Sequence, residues 1–272
     1  MKSPSAHGPG VALRRALAVV PARLGSTRLE RKMLLAESGK FLFQHTVESV
    51  RRCSSIERVV LATDSDEIVA AATEAGVDVL RTSDQHPSGT DRVNEACQKL
   101  QEAADRPWDV VLNVQGDEPE IDPNDLERLI AAFDDETVNA ATLWGAVRSE
   151  EEALDPSVVK VVCNARGDAL YFTRCSAPSR SHSRTGAGGW ESVRRHIGVY
   201  AYRPDALARF CTLPASPLER TENLEQLRWL EAGESMRTVE ARSVPRGIDT
   251  REDYEQFLLR WNARDDLQRT TT

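Results

Sequence analysis

At 272 residues, with 29% charged and 40% hydrophobic residues, the chain can bury a large core and is too apolar to be a disordered polypeptide. A formal net charge of -8 excludes the broad basic face that nucleic acid or an anionic membrane selects, although a local basic site can still take a small anion. Cys53, Cys97, Cys163, Cys175 and Cys211 form no CxxC or Cys/His cluster, which predicts reduced thiols in a cytoplasmic protein rather than a disulfide frame or a zinc site. No apolar run reaches membrane-spanning length. Residues 1–15 carry Pro and Gly where a signal peptide needs an apolar centre, so they read as a disordered tail, and the polar segment 263–272 reads as a second tail flanking one domain over 16–262.

The apolar run Ala16 to Val20 predicts a first buried strand, followed by the basic stretch Pro21 to Lys32. Lys40 to Cys53 predicts an amphipathic helix, and Arg58 to Thr63 a second strand. Asp64 is the expected cap of the next helix, with Glu67 completing a capping box and Gly76 closing the element. Val77 to Leu80, Asp109 to Val114, and helices over Val93 to Ala104 and Asp125 to Phe133 continue the alternation. Strand and helix in turn predict βαβ units and a mostly parallel twisted sheet with helices on both faces, with ligands at the carboxyl ends of the strands. Val158 to Asn164, Ala169 to Thr173 and His196 to Tyr202 read as an antiparallel extension with a turn at Arg166 to Asp168. Residues 176–189 read as a loop. Ser216, Pro217 and Glu219 form a strong helix start. Met236 to Val244 predicts a last strand, and Thr250 caps a closing helix with Tyr254, Phe257, Leu258 and Trp261 inward.

In the basic stretch, Arg23, Arg28, Arg31 and Lys32 face only one acid, Glu30, while Gly25, Ser26 and Thr27 let backbone N–H groups approach an anion closely. The alternative is a solvated basic turn. Neither GxxxxGK[ST] nor GxGxxG occurs, so a phosphate site has to come from this stretch itself.

The motifs that decide between those readings are PARLGSTR with Lys32, SGTDR at Ser88 to Arg92, NVQGDEP at Asn113 to Pro119, ALYFTR at Ala169 to Arg174, RHIGVYAYR at Arg195 to Arg203, SPLERTENLEQLR at Ser216 to Arg228 and GIDTREDY at Gly247 to Tyr254. In type and order they resemble 3-deoxy-manno-octulosonate (KDO) cytidylyltransferases, over Leu17 to Leu258. The resemblance implies a single-domain, nucleotide-diphospho-sugar transferase-like α/β fold, a homodimer, and a reaction that joins CTP and KDO, releasing pyrophosphate and giving CMP-KDO for lipopolysaccharide or related glycans. It implies Mg²⁺ as cofactor, and neither a nucleic-acid partner nor membrane insertion. Pro21, Ala22, Arg23, Ser26, Arg28, Lys32, Ser88, Gly89, Thr90, Arg92, Gln115 and Gly116 are the implied nucleotide contacts.

In-line attack of a sugar hydroxyl on the α-phosphorus is catalysed mainly by positioning and charge neutralisation, which explains why cations and carboxylates recur in these motifs. Arg23 and Lys32 are implied for the triphosphate, and Asp117 and Asp249 as catalytic metal ligands, hard oxygen donors suited to Mg²⁺. By itself Asp249 before Thr250 also reads as ordinary helix capping. Arg174, His196, Tyr200, Glu225 and Gln226 are the implied sugar contacts; alternation with Ile197 and Val199 also suits His196 and Tyr200 as core residues. The chain departs from the family's LPGKP pattern at Leu29-Glu30-Arg31-Lys32-Met33, and from an IPWDR-like run after Arg174. These departures keep two alternatives in view: an enzyme for another ulosonic or nonulosonic acid such as sialic acid, and a non-catalytic nucleotide-binding relative.

Overall fold

The computed structural model describes residues 14–25, 28–179 and 189–270. In chain order the main elements are β1 (Ala16–Ala22), α1 (Leu42–Arg51), β2 (Ile56–Thr63), α2 (Asp66–Glu74), β3 (Val79–Arg81), α3 (Gly89–Glu102), β4 (Val110–Val114), α4 (Pro123–Ala131), β5 (Ala140–Ala146) and α5 (Glu150–Leu154). They continue with β6 (Lys160–Cys163), β7 (Ala169–Thr173), β8 (Arg194–Tyr202), α6 (Pro204–Thr212), α7 (Pro217–Glu222), α8 (Leu227–Glu231), β9 (Arg237–Glu240) and α9 (Arg251–Thr270).

Among the described residues these strands form one sheet in the order β3-β2-β1-β4-β8-β5-β9. β1 pairs in parallel with β2 and β4, β2 with β3, and β5 with β9, whereas β8 runs antiparallel between β4 and β5. The expected parallel α/β sheet is therefore present, with one reversed strand inside it. The expected antiparallel extension is the β6–β7 hairpin, which touches β8 at Lys160 opposite Arg195.

β1 shows why its sequence is a continuous apolar run rather than an alternating one. Ala16, Ala18 and Val20 enter one core layer with Phe43 and Val47 of α1, Ile68 of α2 and Leu126 of α4. Leu17 and Val19 enter the opposite layer with Val93 of α3, Leu207 of α6 and Trp229 of α8. A strand covered by helices on both sides has no wet face, so polar residues have no place in it.

Local chemistry sets several boundaries. Ser65, not Asp64, caps α2, its hydroxyl accepting the Ile68 N–H; Asp64 instead accepts a bond from Arg92. Gly76, at φ 66°, closes the helix as expected, with its N–H on the Thr73 carbonyl and the Val77 N–H on that of Ala72. The full capping box at Ser216 and Glu219 is present. α3 begins at Ser88, earlier than its apolar spacing suggests, because Gly89 and Thr90 already form its first turn. The strand expected over Met236 to Val244 is paired only as β9; beyond it the chain peels away, its Arg242 and Ser243 N–H groups held by the buried Asp125 carboxylate. α9 runs on to Thr270, and its Tyr254 and Phe257 pack on Leu29 and Ile248. That small cluster ties the basic loop to the C-terminal segment.

Candidate active site

Because β1 and β4 are parallel neighbours, the loops that follow them emerge side by side at their carboxyl ends. Gly116 makes the close approach feasible: a Cβ there would lie 2.9 Å from Met33 Sδ and 3.1 Å from the Pro21 carbonyl oxygen. Thr46 donates to the Gly116 carbonyl at 2.8 Å and fixes the turn. The third strand of chain arrives when the Ile248 N–H donates to the Asp117 carbonyl at 2.9 Å, which sets Asp249 beside Asp117.

Lys32 joins these segments. Its ammonium, almost fully buried, donates to Asp117 Oδ2 at 2.6 Å, to the Ile248 carbonyl at 2.8 Å and to Asp249 Oδ1 at 3.2 Å. Arg28 pairs with the same Asp249 oxygen at 2.9 Å. Pro21, Arg23, Arg28, Lys32, Gln115, Gly116, Asp117 and Asp249 thereby share one cleft of about 550 Å³. Ala22 is buried in β1, with Thr63 of β2 as its paired neighbour. Ser26 lies outside the described residues.

Two carboxylates within reach of one ammonium form an all-oxygen donor pair. Such a pair suits Mg²⁺, which takes one or two carboxylates and completes its shell with water and substrate phosphates. Among the described residues no three His, Cys, Asp or Glu side chains gather as a self-sufficient metal cage. Glu118, which sequence reasoning passed over, sits behind this pair. Burial first, and then the Asp117 charge, pushes its carboxyl up to about 8, so it is neutral at pH 7 and adds no third negative charge. Gly247 leaves room for it: a Cβ there would lie 2.9 Å from Glu118 Oε1.

The Ser88 loop closes another side. Ser88 caps α3 through the Asp91 N–H, and Gly89 faces Pro21 and Gln115. A chain of side-chain bonds then leads inward: Gln115 Nε2 donates to Asn113 at 3.0 Å, Asn113 Nδ2 to Thr90 at 3.4 Å, and the Thr90 hydroxyl to Glu225 Oε2 at 2.7 Å. Arg92, expected at the nucleotide, is buried against Asp64 and Thr82 instead. Its guanidinium braces the ends of β2 and β3 and orients the loop from behind.

Glu225 leads to the expected sugar residues. His196 and Tyr200 lie on β8 with ring centroids 5.4 Å apart, and Phe172 of β7 stands edge-on to His196. The Thr142 hydroxyl of β5 bonds His196 Nε2 at 2.9 Å and the Val199 carbonyl at 2.8 Å. A hydroxyl that donates to the carbonyl accepts from the ring, which makes Nε2 the protonated nitrogen. Burial, with the Arg195 charge second, lowers His196 to about 3 and keeps it neutral. Burial likewise raises the Glu225 carboxyl and, with the Glu225 charge second, the Tyr200 phenol.

Two buried polar atoms here, Glu225 Oε1 and Gln226 Nε2, have no hydrogen-bond partner among the described residues. Orphaned polar atoms are costly, and a hydroxyl-rich ligand would satisfy them. Arg174 occupies a different role from a free anion clamp: its guanidinium donates to the carbonyls of Glu222, Asn223 and Pro156, and so fastens α7 to the hairpin. Thr142 lies in no motif, and Glu118, although it stands inside NVQGDEP, carries no local signal of the burial that sets it apart from an ordinary turn residue.

A family model for cytidylyltransferases matches residues 17–236. The chain belongs to that cytidylyltransferase family. It is 46% identical over 248 residues to a 3-deoxy-manno-octulosonate cytidylyltransferase from Nitratidesulfovibrio vulgaris strain DP4, covering 90% of this chain and 96% of the relative. A relative of the same description from Bradyrhizobium sp. strain ORS 278 is 45% identical over 245 residues, 88% of this chain and 94% of its own. Among solved structures, a CMP:2-keto-3-deoxy-manno-octonic acid synthetase complexed with CTP superposes with a TM-score of 0.83 at 38% identity, covering 92% of this chain and 99% of that one. A 4-diphosphocytidyl-2C-methyl-D-erythritol synthase from Anaerococcus prevotii, at 12% identity and a TM-score of 0.56, shares the fold alone. The loop departs from the family's LPGKP pattern at Leu29-Glu30-Arg31-Lys32-Met33. Arg31 stands at the glycine position and keeps a left-handed conformation, φ 53°, while Met33 replaces the second proline and is buried against Gly116.

Proposed function

We propose that the protein transfers CMP from CTP to the anomeric hydroxyl of KDO, releasing pyrophosphate and forming CMP-KDO. The observation that carries this reading is the convergence of Asp117, Asp249 and the Lys32 ammonium in a cleft flanked by Arg23 and Arg28. A polyanion needs cations on its outer oxygens, and the attack needs carboxylates able to share a divalent ion. Both are present at the carboxyl edge of the sheet.

In the reaction the sugar oxygen forms a bond to the α-phosphorus, the bond from that phosphorus to the bridging oxygen breaks, and pyrophosphate departs with the bond electrons. Arg23 and Arg28 bind the triphosphate from the open side, and Lys32 approaches it from the floor. Asp117 and Asp249 would hold Mg²⁺, which when bound supplies positive charge to phosphate oxygens and favours ionisation of the attacking hydroxyl. Gln115 and Gly89 shape the nucleotide wall. Tyr200, Glu225 and Gln226 orient the sugar, and neutral His196 stiffens the Tyr200 side of the pocket.

The wider reading is an activated acidic-sugar donor for lipopolysaccharide or related glycans, made in the cytoplasm by a homodimer. It is supported by the family likeness and by five free thiols; no helix of the described residues is long and apolar enough to cross a membrane. The test is pyrophosphate release from CTP and Mg²⁺ with one acidic sugar at a time. Release with KDO is expected; release with sialic acid alone would overturn the substrate, and CTP binding without release would overturn the enzyme.

A further inference from the structure

A second concave site is lined by the chain that follows Asp117 and the chain that leads into Asp249, and it shares no lining residue with the cleft holding Lys32. One wall is residues 120–124, which follow Asp117 and start α4; the other is residues 243–246, which lead into Asp249. The space between them is about 520 Å³. Its charge runs against that of the whole chain. Arg52, Arg148, Arg246 and Arg260 line it, against only Glu120 and Asp122.

The two acids are already committed. Glu120 grips Arg260 through paired bonds at 2.6–3.1 Å, and Asp122 caps α4 by accepting the Asn124 N–H at 2.9 Å. Arg148 donates to the Val244 carbonyl at 2.5 Å, and Arg52 to the Ser49 hydroxyl at 2.7 Å, both neutral acceptors. Arg246 is exposed and makes no ion pair among the described residues. Mutual repulsion is felt within the group: burial first, and then the Arg246 charge, depress the Arg148 guanidinium below its ordinary value. Arg260 is paired with Glu120, whereas Arg52, Arg148 and Arg246 make no ion pair among the described residues; in a protein of net charge -8, three such cations around one opening call for an anion from outside.

We propose that this arginine cleft is a second anion site that takes a diphosphate group, separate from the cleft holding Lys32. Forked guanidiniums match phosphate oxygens in pairs, and several arginines spread around the opening suit two linked phosphates better than one point charge. Ile121, Val244 and Pro245 give the site an apolar side as well. The same group can therefore arrive as free pyrophosphate, which the reaction above releases, or as a diphosphate borne on an apolar carrier. An occupant sits a short step along the chain from both Asp117 and Asp249, so binding is positioned to be felt at the active cleft.

Titration calorimetry on the full chain without divalent metal tests this, with inorganic pyrophosphate and geranyl diphosphate as the probes. Wild-type protein is expected to bind pyrophosphate at the arginine cleft, and Arg246→Glu and Arg52→Gln, each separately, to weaken that binding by about tenfold or more, as loss of a charge-assisted phosphate contact should. Tighter binding of geranyl diphosphate than of pyrophosphate identifies the carried form as the better ligand, and equal binding identifies the free anion; either supports the site. Superimposable titrations for wild type and both variants, with unchanged melting temperatures, would overturn it. Binding needs no turnover, so failure of this site and failure of the transferase reading give different results.

Discussion

The two halves of the active site are built on opposite electrostatic plans. The triphosphate half is charged and partly open: Arg23 and Arg28 are exposed, and Asp117 and Asp249 already have cationic partners in Lys32 and Arg28. The sugar half is more buried: His196 is unprotonated, Tyr200 keeps its proton, and Glu225 Oε1 and Gln226 Nε2 lack a hydrogen-bond partner among the described residues, although Arg228 lies 3.9 Å from the Glu225 oxygen. The proposed ligands account for the difference. A polyanion carrying magnesium brings its own large charge and needs counter-charges that can rearrange in water. A sugar brings hydroxyls whose hydrogen bonds discriminate best where water is excluded, because an unmatched buried group is expensive.

The comparison breaks most visibly at Asp117. Asp117→Asn is expected to cut turnover by at least about 100-fold, the scale of losing a principal electrostatic stabiliser, with the melting temperature near wild type. Near-normal kcat would remove Asp117 from the metal and phosphate half. Next in size, Glu225→Gln should raise KM for the acidic sugar by about tenfold while KM for CTP moves by less than about twofold, as one carboxyl acceptor is replaced by an amide on one side only. An equal rise for both substrates would mean that the Gln115-Asn113-Thr90-Glu225 chain acts as one unit rather than as a border.

A smaller effect comes from the neutral histidine. His196 titrates near 3 in the folded protein against 6.5 when exposed, so below about pH 6.5 the unfolded chain takes up a proton that the native state does not. Stability therefore falls as pH drops from about 6.5 toward 3. His196→Gln should flatten that slope by at most about 1.4 kcal/mol per pH unit, read from denaturant unfolding at several pH values. Parallel slopes for the two proteins would show that His196 is charged or exposed.

The smallest effect tests the unusual loop. Arg31 holds a left-handed backbone at the family's glycine position, and its side chain pairs with Glu67 of α2 at the surface. Arg31→Gly relieves strain of roughly 1 kcal/mol and loses an exposed pair worth less than that, so stability should rise by up to ~1 kcal/mol with turnover unchanged. A clear loss of stability would show that the pair, not the backbone, governs this turn.

The triphosphate half was legible in the sequence because its residues come in short contiguous runs, PARLGSTR, QGD and GID, each at a strand end. Capping and breaker chemistry at Gly76 and Ser216 also read directly from local letters. The parts that did not read are set by distant partners. β5 has few β-branched residues and no alternation, and becomes a strand through pairing with β8 and β9. The Ala241 N–H still donates to the Trp144 carbonyl of β5, but residues 242–243 look like strand and peel away because the Asp125 carboxylate, far off in sequence, captures their N–H groups. Arg92 and Arg174 carry the right charge for ligand contacts, yet Asp64 and three backbone carbonyls hold them. Charge can be read from sequence, whereas the partner that consumes it depends on the fold.

The most direct measurement of the divided site is a crystal structure of the Asp117→Asn protein with CTP, Mg²⁺ and KDO together. The account predicts the triphosphate against Arg23, Arg28 and Lys32, and the sugar hydroxyls against Tyr200, Glu225 and Gln226, with the anomeric oxygen facing the α-phosphorus. A triphosphate lying outside the Lys32 cleft, or a sugar that leaves Glu225 Oε1 and Gln226 Nε2 unpartnered, would contradict it.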